Sequence, residues 1–123
     1  MSIDLPISDD HGPPRLVFSV GYAQMYIADV IFDDTQLFSS QDLDPPQRTG
    51  SHEVQLPSPA SELHDKMLTL SVLVVPPRVG GTQLYSVDAV VHQAGSAIDG
   101  TGFQRNGTVR AGMESVVAVW WVL

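Results

Sequence analysis

No stretch of the 123-residue chain repeats apolar side chains at the 3.6-residue spacing of an amphipathic helix over a helix's length, whereas several stretches alternate with a period of two. The strands of a parallel sheet are usually joined by crossing helices, so the pattern fits antiparallel sheets better than a βαβ fold. Lys66 to Val75 is the clearest case: Leu68, Leu70, Val72 and Val74 occupy one face and Thr69 and Ser71 the other. Beyond the break P-P-R-V-G-G, T-Q-L-Y-S-V-D-A-V-V-H-Q places Tyr85, Val87, Ala89 and Val91 on an inner face. These two strands are predicted to pair as a hairpin.

Further strands follow from β-branched and aromatic runs bounded by turn formers. R-L-V-F-S-V starts at Arg15, and Q-M-Y-I-A-D-V-I-F ends at Phe32 after a turn at Gly21. Asp33 to Pro57 is predicted as a long loop, broken at Pro45 and Pro46, that ends in an edge strand S-H-E-V-Q-L. Ser58-Pro59-Ala60-Ser61-Glu62 has an N-cap residue, a proline at the first helical position and an acid in the first turn, which predicts one helical turn through His64. In F-Q-R-N-G-T-V-R, Asn106-Gly107 suits the tight type I′ turn of a hairpin. The final segment, Glu114 to Leu123, is apolar on both faces, with Val116, Ala118, Trp120 and Val122 opposed to Val117, Val119, Trp121 and Leu123.

The sum is an all-β, single-domain antiparallel β-sandwich of about seven strands, jelly-roll or Ig-like, with one short helical turn and a small β-barrel as the alternative. Residues 1–14 carry three Asp and three Pro and are expected to form an extended acidic arm, with the sandwich over 15–123.

A chain of this size buries a core without a disulfide or a structural metal. With no cysteine, a disulfide framework, a thiolate zinc site and a cysteine nucleophile are excluded. The net charge of −8 repels phosphate backbones, so nucleic acid is not an expected partner. The start M-S-I-D-L-P-I-S-D-D lacks the basic and apolar regions of a signal peptide, and no apolar run spans a bilayer. The expected location is cytoplasmic as synthesised, or within an assembled particle, with no membrane partner.

The four histidines, His11, His52, His64 and His92, fall on separate elements without metal-binding spacing. Asp33, Asp34, Asp42 and Asp44 flank one loop and are the candidate metal ligands, for calcium through hard oxygens, although they equally suit turns and caps. No other cofactor is implied. Serine esterase and penicillin-binding motifs are missing, and Gly100-Thr101-Gly102 lacks the third glycine and the helix of a dinucleotide site. Tyr22, Tyr26 and Tyr85 are candidates for stacking on sugar rings. Neighbours on a strand point to opposite sides, so a sheet buried on one face cannot cover both Trp120 and Trp121. Either the arm or the long loop caps the outer face of this strand, or the strand lies in a subunit contact, for which Val117, Val119, Trp120, Trp121 and Leu123 are the interface candidates.

These residues favour a non-catalytic binding or assembly protein, a homo-oligomer or a subunit docked on a larger structure such as a virion or phage-type particle. A carbohydrate-binding module, with or without calcium, is the alternative, and an acidic inhibitor or immunity-type protein covering a basic site is the third reading. No catalytic residue is assigned.

Overall fold

A computed structural model describes residues 2–4, 7, 12–21, 25–40, 50–57, 62–75, 81–110 and 115–123. Alternating side chains become strands over most of this length: β1 (Ser2–Asp4), β2 (Arg15–Gly21), β3 (Met25–Phe32), β4 (Thr35–Ser39), β5 (Gly50–Gln55), β6 (Met67–Val75), β7 (Thr82–Gln93), β8 (Ser96–Ala97), β9 (Phe103–Arg110) and β10 (Ser115–Val122). They form two sheets that face each other across one apolar core. Sheet A has the order β1-β10-β6-β3-β4 and is antiparallel except where β1 runs parallel to β10. Sheet B has the order β5-β2-β7, and the far edge of β7 is shared by β9 and the short β8.

Period-two patterning decides which side chains face inward. Leu68, Leu70, Val72 and Val74 of β6 meet Leu16, Phe18 and Val20 of β2 and Val87 and Val91 of β7 in one buried cluster. Each Val, Leu or Phe buried in this way is stabilising by roughly 1.5–3 kcal/mol. Trp121 is fully buried, and its indole N–H donates to the Thr101 carbonyl at 2.9 Å. Thr101 in turn donates its hydroxyl to the Ile98 carbonyl at 2.6 Å, which fixes the loop after β8 beneath the core. No helix among the described residues is long and apolar enough to cross a membrane.

The sandwich matches the expected architecture, but the described residues form ten strands rather than about seven. Strands β1, β4 and β8 escaped sequence reading because they are two to five residues long and mostly polar. The small-barrel alternative is overturned, since both sheets are open and end at edge strands. Strands β6 and β7 do not form a hairpin: both edges of β6 are taken by β3 and β10, and β7 lies in the opposite sheet. The six residues between them reach up to about 20 Å when extended, enough to cross layers about 10 Å apart.

Asn106-Gly107 is not a turn either. Both residues lie inside the continuous β9, with Gly107 opposite Tyr85, and a Cβ at Gly107 would sit 2.5 Å from the Tyr85 hydroxyl oxygen. This glycine answers a close ring contact rather than a positive φ. The expected helical turn falls mostly outside the described residues, within which Glu62 is in 3₁₀ conformation. Of the expected arm, Ser2–Asp4 is strand β1, and Ile3 packs into the core.

Candidate functional site

Strand β10 lies between β1 and β6, and its register fixes which of its two apolar faces is buried. Val117 lies opposite Val72, Val119 opposite Leu70 and Trp121 opposite Leu68, all inward-facing positions of β6. Four of the five interface candidates, Val117, Val119, Trp121 and Leu123, are thereby core residues and are corrected out of the contact surface. Trp120 alone stands on the outer face, half-buried, between Ser2 of β1 and Thr69 of β6.

The outer face around Trp120 is more apolar than the sequence reading allowed. Val116, Leu73 and Ile27 form one row across β10, β6 and β3. Trp120, Thr69 and Ile31 form another, and Val122 sits beside Met67. Between these rows lie Ala118, Ser71 and Asp29, whose carboxylate accepts a hydrogen bond from the Gln36 amide at 2.9 Å. Val116 is 61% exposed, Met67 43% and Val122 39%. Strands about 4.8 Å apart set the residues of each row side by side, so the face carries apolar rows on either side of Ala118, Ser71 and Asp29. The signal was present in the sequence: Ile27 and Ile31 on β3 and Leu73 on β6 are apolar residues at outward parity.

The stacking candidates fare differently. Tyr26 and Tyr85 are 4% and 5% exposed and belong to the core, so neither ring is open to a sugar; Tyr22 lies outside the described residues. Tyr26 is committed to an internal cluster. Its hydroxyl and His52 Nε2 lie 2.7 Å apart in a hydrogen bond that joins β3 of one sheet to β5 of the other. Phe18 and Phe38 flank the imidazole, each with ring centroids 5.1 Å away. Burial lowers the pKa of His52 from its ordinary value of 6.5 and raises that of Tyr26 from 10.0.

Among the metal candidates, Asp33 and Asp34 form the two-residue connection of the β3–β4 hairpin, and Asp33 has the positive φ of 54° that Asp tolerates well. Asp42 and Asp44 lie outside the described residues. Among the described residues no group of three or more His, Asp or Glu side chains is placed to hold a metal ion. His64 lies in an exposed turn and His92 on the outer side of β7, so the structure does not bring the described histidines together.

The outer face of sheet B is of another kind. Ser51, Ser19, Asp88 and Gln104 stand in one row across β5, β2, β7 and β9. The row lies in a shallow groove of about 510 Å³ that also takes in Val17 and Val90. A second groove of about 750 Å³ runs along β7 and β9 past Leu84, Ser86, Asn106 and Thr108.

Comparison with protein-family models, with curated proteins and with solved structures finds no match to this chain.

Proposed function

We propose that the protein is a non-catalytic assembly subunit that meets a second copy of itself, or a larger particle of the virion or phage type, through the outer face of sheet A. The observation that carries this reading is the gathering of exposed apolar side chains: three of the four large ones among the described residues, Met67, Val116 and Val122, share that face with Trp120. Apolar surface gathered on one side of a sheet is stabilised by covering it, and large aromatic residues at the centre of such patches are frequent anchors of protein contacts. Four-fifths of the residues first singled out for contact turn inward, so the interface is carried by Trp120 and its outward neighbours. Homo-oligomers pair like surfaces about a symmetry axis, and a sheet face of this kind is self-complementary without further elements.

Size-exclusion chromatography with light scattering tests it. The wild-type chain is expected above monomer mass at micromolar concentration, and the double substitution Val116→Lys, Val122→Lys is expected to be a folded monomer. A wild type that stays monomeric, with the double variant no more soluble than it, would overturn the reading.

A further inference from the structure

We propose that the outer face of sheet B is a binding groove for a neutral oligosaccharide. This site is independent of the contact face on sheet A, which lies on the other side of the core.

Register builds the groove. In the row Ser51, Ser19, Asp88, Gln104, the two short hydroxyl side chains stand side by side at the β5–β2 end and leave a depression beside the longer Asp88 and Gln104. On one side the next row is Glu53, Val17, Val90, and on the other Gly21, Ser86, Asn106. The two depressions share Asp88 and Gln104, so they form one continuous channel across the sheet. Leu84, 62% exposed, borders its far end opposite Thr108.

The lining chemistry selects the ligand. A pyranose ring offers hydroxyl groups around its edge and C–H groups on its faces. Ser19, Ser51, Gln104 and Asn106 supply neutral donors and acceptors for the first, while Val17, Val90 and Leu84 supply apolar surface for the second. Asp88 sits at the centre, and no hydrogen bond or ion pair engages its carboxylate among the described residues. A half-buried carboxylate without a partner is a strong acceptor for sugar hydroxyls, because charge-assisted hydrogen bonds are roughly twice as strong as neutral ones. Glu53, the other acid on this face, is already bridged by Arg15 at 3.3 Å. One free carboxylate repels a polyanion, and a single negative charge among neutral groups is poor bait for a basic peptide. The groups also recur at the right interval, since strands about 4.8 Å apart place successive side chains roughly one pyranose unit from each other.

The test is a titration of the ¹⁵N-labelled full chain with linear neutral tetra- and hexasaccharides of glucose, xylose, mannose and galactose, read by amide chemical shifts. Saturable shifts are expected at Ser19, Ser51, Asp88 and Gln104 with at least one of these sugars. Asp88→Ala should weaken that binding about tenfold or more through loss of a charged acceptor. Ser19→Trp should abolish it by filling the groove, with the remaining spectrum showing that both variants stay folded. The proposal is overturned by silence across the panel at millimolar sugar, by shifts confined to sheet A, or by undiminished binding in both variants.

Discussion

His52 shows how one residue couples folding to pH. Its imidazole is enclosed by Phe18 and Phe38 and bonded to Tyr26, and burial disfavours the charged ring. The folded pKa therefore lies below the unfolded value of 6.5, so the unfolded chain binds the proton first as pH falls. The contribution of His52 to stability is complete above that value, declines as pH drops through it, and stops declining below the folded pKa. Tyr26, the other titratable group of the cluster among the described residues, is neutral throughout this window because burial raises its pKa above 10.0, and it does not alter the sign. Melting temperature measured from pH 8 to pH 5 should fall more steeply for the wild type than for His52→Phe, and parallel curves would remove His52 from the account. At the same scale, Gly107→Ala forces a methyl group into the Tyr85 ring and should destabilise by about 1–3 kcal/mol in urea denaturation, whereas a turn glycine with free space around it would show no steric penalty. In the sequence Gly107 has the mark of a turn, because Asn-Gly is a strong local signal, and the ring that demands a glycine here lies 22 residues away, at Tyr85.

At the scale of the element, β10 separates what alternation tells from what it leaves open. In β7 the inward parity from Tyr85 to Val91 is apolar and the outward one mostly polar, and in β6 Thr69 and Ser71 mark the outward parity against an unbroken Leu68, Leu70, Val72 and Val74, so both inward faces are legible residue by residue. In β10 both parities are apolar, and only the register against β6 assigns Trp121 to the core and Trp120 to the surface. Pairing partners depend on contacts distant in sequence, which is also why the β6–β7 hairpin was expected and is absent. The adjacent tryptophans should consequently behave in opposite ways. Trp121→Ala removes a fully buried ring and strands the Thr101 carbonyl, and is expected to destabilise by about 3–5 kcal/mol in urea denaturation. Trp120→Ala should destabilise by no more than about 1 kcal/mol, because the site opens to solvent, but it should weaken self-association measured by light scattering. Equal stability losses in the two variants would mean that the register is wrong.

For the whole molecule, the two outer faces differ in chemistry and the net charge of −8 acts on both. If sheet A meets a second copy of itself, each protomer brings the same negative charge, and long-range repulsion opposes an attraction that is mainly apolar. Added salt shortens the Debye length from about 30 Å at 0.01 M to about 8 Å at 0.15 M and so screens the repulsion, leaving burial of Val116, Trp120 and Val122 nearly unchanged. Self-association should therefore tighten as salt rises. An acidic chain that instead covers a basic partner is held by attraction between opposite charges, and the same screening loosens it. The sign of the salt effect thus distinguishes two readings that composition alone leaves level, because net charge reports the strength of the field and not what stands in it. Sedimentation velocity of the wild-type chain at low and at physiological ionic strength should show the oligomer fraction growing with salt, and an oligomer that dissolves on adding salt would place charged groups, rather than the apolar rows of sheet A, at the contact.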